Sequence, residues 1–486
     1  MQSLSFHLPQ ARTCHCLVAL LSMLLTLIVS TRVALVQALT PATIKVSGTS
    51  MGVSTRYIGA NGSMNYDSTT LHNIGFNTWR LWNDMTVFEP VNDTTTYGKL
   101  SPAAIKANVN VIPWNVWDSQ MGRHRKFFAQ TKVDGVKLML ALRNTGDNHS
   151  ASWMANPPKT TADWNEWWEH VFATVYWLNV RNHYHVDDFE IFNEPSNKGQ
   201  GWKGTEAKYL KFAKVTRNAI DNVYKTYLPN RKYHVFGPSV DYPQVGSDTS
   251  VPNGKGWMYD LLHLAPPPIN AVSYHHYATG NQIADGIHYA HDQMQQTGHG
   301  DFPLWLTEWG SYDEQTKAGR IDPHGNDNEP FAVRMINNMI EFSQPGKNHV
   351  DGSHYYIWQD SGYGDGILDQ QGNKRTVYYA LRLAVRSLQG GKPTYQSTTS
   401  KSDLTAITTK DGTGTINLLV TNINANTSYA INTDISALIA GSGSSTIERY
   451  DVNNKDTQAT GPLVHNGHIQ FTIPASAAVL IRVERQ

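Results

Sequence analysis

Asp187-Asp188-Phe189-Glu190-Ile191-Phe192-Asn193-Glu194-Pro195 is a short apolar run that ends in a carboxylic acid and is stopped by a proline. Pro303-Leu304-Trp305-Leu306-Thr307-Glu308-Trp309-Gly310 repeats that arrangement further along the chain. Brief apolar runs without strict alternation suit parallel strands buried on both faces. Two acids at the ends of two such strands also provide what cleavage of a glycosidic bond demands, a proton donor and a second carboxylate flanking the bond.

Working outward, runs of the same kind recur at Met51–Ile58, Asn77–Trp82, Val136–Arg143, Phe189–Asn193, His234–Pro238, Ala271–Tyr277, Leu304–Glu308 and His354–Gln359. Amphipathic stretches separate them. Trp164, Trp167, Trp168, Val171 and Val175 fall at helical spacing between Trp164 and Tyr184, and Lys208–Tyr224 reads as a second helix. Eight strands alternating with helices predict an α/β fold, a (β/α)8 TIM barrel whose active site lies at the C-terminal strand ends. Glu194 closes the fourth strand and Glu308 the seventh. After Gly390-Gly391-Lys392-Pro393 the chain turns to short β-rich runs rich in Gly, Asn, Ser and Thr, which predict a small antiparallel β-sandwich. The expected domains are a signal peptide over 1–38, the barrel over 39–390 and the sandwich over 391–486. Tyr429, Tyr450 and Phe471 are among the few aromatics of the last, so support of the barrel is favoured over sugar binding.

Of the 486 residues, 40 Lys and Arg balance 40 Asp and Glu, so no net field recruits nucleic acid or an anionic membrane. Only 16% of the chain is charged, whereas it holds 14 Trp and 23 Tyr. Such rings fill a large core and also serve as platforms for the apolar faces of sugars. Arg12, the apolar run Leu17–Val29 and the small-residue site near Val36-Gln37-Ala38 predict an export signal, hence a secreted protein. An uncleaved membrane anchor over Leu17–Leu39 is the competing reading. Cys14 and Cys16 precede that run, so a cleaved chain has no thiol for disulfides, thiolate metal sites or nucleophilic catalysis.

Asn-Glu-Pro on strand four and Thr-Glu-Trp-Gly on strand seven resemble the clan A retaining glycoside hydrolases. Asp163-Trp164-Asn165-Glu166-Trp167-Trp168, followed by Phe189 to Asn197, looks most like glycoside hydrolase family 39. Families 5, 30 and 51 share the broader pattern. The resemblance covers Lys45 to Leu388 and implies roles residue by residue. Glu194 would be the acid/base and Glu308 the nucleophile. Asn193 would bind the sugar 2-hydroxyl, Arg80 would steady the nucleophile, and Tyr277 would bond to it. His275 would contact sugar or the acid, and Trp358 would floor the subsite of the cleaved sugar. Trp202 is placed at an outer subsite by its loop after the acid. Independently of the resemblance, Arg80 is a charge embedded in an apolar strand, so it needs a carboxylate partner, Glu308 or Glu190. Glu190 shares strand parity with Glu194 and is expected one layer lower, in a structural role. Trp114, Trp117, Asn144 and Asp241 are candidates by position only. His275-His276 has no well-spaced third ligand, so neither metal nor cofactor is expected. The expected partner is an oligo- or polysaccharide, cleaved in a β-xylosidase-like way. Endo-acting glucanase, mannanase or xylanase action, transglycosylation and a barrel that only binds polysaccharide are the alternatives.

Overall fold

Eight parallel strands close into a barrel in chain order: β2 (Tyr57–Asn61), β3 (Thr78–Asp84), β4 (Lys137–Arg143), β5 (Asp188–Ile191), β6 (His234–Val240), β7 (Ala271–Tyr277), β8 (Leu304–Gly310) and β9 (Gly352–Tyr355). Closure is by β2 on β9, with Tyr57 opposite Gly352 and Ala60 opposite Tyr355. The structure is a computed structural model that describes residues 39–89, 91–94, 98–144, 155–277, 281–310, 328–346, 349–362 and 364–485. Barrel and accessory sheet lie together in one compact unit, Pro41–Gln486. The expected signal segment 1–38 is outside the described residues.

The predicted barrel is present, with one strand displaced. Met51–Val53 does not enter it but ends β1 (Thr40–Val53), which pairs antiparallel with β10 (Pro393–Thr399), Lys45 opposite Thr398. Ala42, Ile44 and Val46 are buried while the residues between them are not, the period-two signature of a half-buried strand. The accessory domain is therefore built from both ends of the chain rather than from 391–486 alone. The last barrel strand is likewise earlier than predicted, Gly352–Tyr355 rather than His354–Gln359.

The accessory sheet continues with β11 (Leu404–Lys410), β12 (Ile416–Asn422), β13 (Tyr429–Asp434), β14 (Gly443–Asp451), β15 (Asn454–Thr460), β16 (His468–Ile473) and β17 (Ala477–Arg485). Its order is β15-β14-β17-β12-β11-β10-β1-β13-β16, and it curls on itself around Ile44, Leu418, Val420, Ile431, Phe471 and Ile481. Alternation sends Leu419 and Leu480 the other way, into the hydrophobic core of the barrel. There the sheet meets the helices Glu329–Phe342 and Thr376–Leu388. The Thr421 hydroxyl donates to Asn337 Oδ1 at 3.0 Å, and Arg386 pairs with Glu448.

The tryptophan stripe belongs to the helix Thr161–Tyr176, which continues as a π-helical turn over Trp177–Arg181. Thr160 caps it reciprocally with Asp163. Trp167 stacks on Phe212 of the helix Glu206–Tyr227 at 4.3 Å, and Trp168 Nε1 donates to Asn218 Oδ1 at 2.8 Å, so these rings are core. The same helix buries Glu166, Glu169 and His170 near Glu89 and Asp93. His170 Nδ1 lies 2.8 Å from Glu89 Oε2, and burial pushes that imidazole down to about 3, so it is neutral. Burial, then the charges of Asp93 and Glu89, pushes the Glu169 carboxyl up to about 11. The folded protein thus keeps on Glu169 a proton that the unfolded chain releases near 4.5. Its contribution to stability is complete below that value and is lost as pH rises toward about 11. Glu169→Gln removes the titration. At about pH 8 its Tm should exceed that of the wild type by about 2 °C or more. At about pH 4 the two should coincide, and a variant less stable at about pH 8 contradicts the reading.

Candidate active site

Side chains fill the barrel in layers. At the bottom Tyr57, Met139, Phe236, Ala271 and Trp305 form an apolar plug, with Tyr57 stacked on Trp305 at 5.3 Å. Above it the filling turns polar, with Thr78 Oγ1 3.0 Å from His354 Nε2 and Glu190 close by. The next layer carries Arg80, wholly buried, and every donor on its guanidinium is engaged with strand-end residues. Nε donates to Glu190 Oε2 at 2.7 Å. One terminal nitrogen donates to Asn61 Oδ1 at 2.7 Å and to Glu308 Oε2 at 3.1 Å. The other donates to Asn193 Oδ1 at 2.7 Å and lies 3.3 Å from His275 Nε2.

Two backbone irregularities aim the acids. On β8 the pairing with β7 slips between Tyr274–Leu306 and His275–Glu308, and the pairing with β9 slips over the same stretch. This bulge at Thr307 lets Glu308 face the interior, although strict alternation from Trp305 would turn it outward. Leu306 and Trp309 pack in the surrounding core instead. After β5, Phe192 and Glu194 take left-handed φ values of 69° and 46°. Such values cost a non-glycine residue about 1–3 kcal/mol, which the surrounding structure must offset. They swing Phe192 out against Trp202 and leave Asn193 and Glu194 both at the cleft. The Glu194 amide donates to Ser239 O at 2.8 Å, tying the turn to the end of β6.

Glu194 Oε1 lies 2.8 Å from His275 Nδ1, and Glu194 Oε2 accepts from Asn197 Nδ2 at 3.1 Å. Glu308 Oε1 accepts from the Tyr277 hydroxyl, and His275 Nδ1 is 3.6 Å from Glu308 Oε2. One ligand atom from each of Glu194, His275 and Glu308 lies within 4.8 Å of the other two. Among the described residues this is the one grouping compact enough to hold a metal ion, and Arg80 already supplies positive charge beside it.

Three carboxylates share one arginine here. Burial works against the Glu190 charge, but Arg80 and then His275 outweigh it, so Glu190 is ionised and serves as the arginine's counter-ion. Burial pushes His275 down, but the Glu308 charge and the bond to Glu194 raise it overall. Burial likewise raises Glu194, and its bond to His275 reverses that, so it ends below the ordinary range. For Glu308 burial prevails, assisted by the Glu194 charge, and its carboxyl lies above the ordinary range.

The structure brings together Glu194, Glu308, Asn193, Arg80, His275 and Tyr277, and places Glu190 one layer lower as expected. Trp358 is not at the cleft. It is 2% exposed and packs edge-on against Trp79 at 5.5 Å, because its strand ends three residues earlier. The ring bordering Tyr277 is Tyr356, 6.2 Å away, which also stacks on Trp82 at 6.3 Å; the Arg143 guanidinium lies 4.5 Å over Trp82. Trp202 is likewise core, wedged among Phe192, Tyr209 and Phe212 rather than lining an outer subsite. Trp114 stacks on Tyr176, and Trp117 Nε1 donates to Asp93 Oδ2, both in structural settings. Asn144 is buried and donates to Ala155 O, whereas Asp241 accepts from Ser196 beside the acid's turn. Asn61 ends β2 three residues beyond Ile58, where the sequence pattern ends the first strand. Its Nδ2 donates to Thr307 O at 3.1 Å, bracing the bulge.

Residues 191–379 match the family model described as glycosyl hydrolase catalytic core. No curated protein matches the chain in sequence. Solved structures similar to it include a glucosidase from Croceicoccus marinus, 13% identical, covering 92% of this chain and 99% of that one with a TM-score of 0.66. The glycoside hydrolase family 39 enzyme from Xanthomonas axonopodis pv. citri is 15% identical over 94% of this chain and 99% of its own, with a TM-score of 0.63. A monomeric β-xylosidase from Caulobacter crescentus CB15 is 14% identical over 91% and 99%, with a TM-score of 0.62. At such identities the likeness speaks for the fold. The matched core spans both Glu194 and Glu308 inside the closed (β/α)8 barrel, which supports a glycosidase.

Proposed function

We propose that the chain is an exported, retaining glycosidase that acts by double displacement, with Glu194 as acid/base and Glu308 as nucleophile. The observation that carries this is the closeness of the two acids, one oxygen of Glu194 lying within 4.8 Å of one oxygen of Glu308. Retention needs carboxyl groups about 5–5.5 Å apart, whereas inversion needs about 6.5–9.5 Å to admit a water. In the first step a Glu308 oxygen bonds to the anomeric carbon while the glycosidic C–O bond breaks, and the Glu194 proton passes to the departing oxygen. The 2.8 Å contact with His275 orients the Glu194 carboxyl for this transfer. In the second step water attacks the anomeric carbon, Glu194 takes the water's proton, and Glu308 departs as carboxylate. Arg80 and Tyr277 hold Glu308 for both steps, and Asn193, with its oxygen on Arg80, keeps its amide nitrogen as a donor for a sugar hydroxyl.

A xyloside is the proposed substrate, by likeness to the β-xylosidase and to family 39. Endo action is the alternative, and of the loops bearing on it, those after the second, third and seventh strands, residues 145–154 and 311–327 of the latter two lie outside the described residues. Export rests on the segment before residue 39.

Glu308→Gly should be inactive yet folded, with azide restoring turnover to a glycosyl azide of inverted configuration. Glu194→Gln should lose about 10²–10⁴-fold on substrates with poor leaving groups and keep activity on strongly activated aryl glycosides. Glu190→Gln should lower Tm while sparing the shape of the pH–rate profile. Unchanged turnover by either of the first two variants, as read by product NMR and initial rates, contradicts the assignment.

A further inference from the structure

Tyr242 is, among the described residues, the one Phe, Tyr or Trp side chain that stands out into solvent, at 48% exposure. A ring this exposed gains little for folding, and its placement is not arbitrary. It follows Asp241, whose carboxylate accepts from Ser196 Oγ at 2.7 Å, and Ser196 lies two residues beyond Glu194. The Ser239 carbonyl accepts the Glu194 amide from the same strand end. The loop carrying the ring is thereby stitched to the turn carrying the acid.

The ring is also held rigidly. Its lower face stacks on His276 at 5.3 Å and 22°. His276 is itself buried, next to His275, and Gly286 of the neighbouring helix lets that helix approach it closely. A Cβ at that glycine would come 2.8 Å from the imidazole. The Val245 amide donates to Tyr242 O at 3.3 Å, and Trp257 N donates to Val245 O at 3.2 Å. Further along the loop, Glu206 and Asp248 each accept the other's backbone amide, at 2.8 and 2.9 Å. A fixed ring with one face packed and the rest in solvent has the form of a stacking platform for the apolar face of a sugar.

The side of the cleft decides which sugar. Glu194 protonates the departing oxygen, so the leaving group exits over the elements that carry Glu194, the turn after β5 and the loop after β6. We infer that Tyr242 is the platform for the leaving-group sugar, which makes the natural substrate a glycan with a further pyranose beyond the cleaved bond rather than a glycoside of a small alcohol. This rests on the acid/base role proposed for Glu194.

The test compares Tyr242→Ala and Tyr242→Phe with the wild type on matched pairs, each a glycosyl fluoride and the β-1,4-linked disaccharide of the same sugar, for xylose, glucose and mannose. Fluoride leaves without occupying the platform. Tyr242→Ala should lose about tenfold in kcat/KM on the disaccharide, chiefly through KM, while its fluoride turnover stays within about twofold. Tyr242→Phe should stay near the wild type on both. An unchanged disaccharide rate in Tyr242→Ala overturns the inference. So does an equal loss on both substrates, which would mean that the ring only holds the loop. A wild type inert toward every pair strikes at the glycosidase reading itself, separately from the role of Tyr242.

Discussion

The Arg80 guanidinium is the interaction on which the rest of the cleft depends. Removing such a cation from water costs several kcal/mol, and only well-placed carboxylates with complete hydrogen bonding offset it. Here the guanidinium gathers Asn61, Glu190, Asn193, His275 and Glu308, side chains from or beside four different barrel strands. The same contacts that satisfy the buried charge set the position of Glu308. Stability and catalytic geometry are therefore the same set of bonds at this layer. Its charge balance follows as well. With Glu190 serving as counter-ion, Glu194, Glu308 and His275 face one another in a single buried cluster.

Around that cation the backbone departs from regularity in two places, and both departures serve the acids. The bulge at Thr307 turns Glu308 inward, and Asn61 braces it through the Thr307 carbonyl. The left-handed residues Phe192 and Glu194 present two consecutive side chains to the cleft, which a regular strand cannot do. The accessory sheet stands behind these elements. Leu419 and Leu480 extend the barrel's own core, so the domain built from both chain ends clamps the helices that flank the last strands.

Much of this was legible in the sequence, for physical reasons. Parallel strands buried on both faces have to be apolar runs, so eight of them could be counted, and the count put Glu194 and Glu308 at strand ends. A lone arginine within such a run has to find carboxylates, which identified Arg80 and Glu190 together. The misreadings share a cause: they turn on contacts distant in sequence or on single-residue register. Met51–Val53 reads as a barrel strand until β10, more than 300 residues away, claims it. A bulge has no compositional mark, so the inward turn of Glu308 could not be told from alternation. Trp358 and Tyr356 differ by two residues, and only the true end of β9 separates the core ring from the one at the cleft. Trp202 sits in a polar, glycine-rich loop yet points down into the core.

On the proposed mechanism Glu308, held by Arg80 and Tyr277, becomes covalently glycosylated during turnover. A 2-deoxy-2-fluoro glycoside with a dinitrophenyl leaving group slows the second step and traps that species. Intact mass followed by peptide mapping reads the result directly. One added sugar per chain is expected, on the peptide bearing Glu308, with activity returning as the label is released. A label on Glu194 or Glu190, or turnover of the fluorosugar with no label at any time, would contradict it.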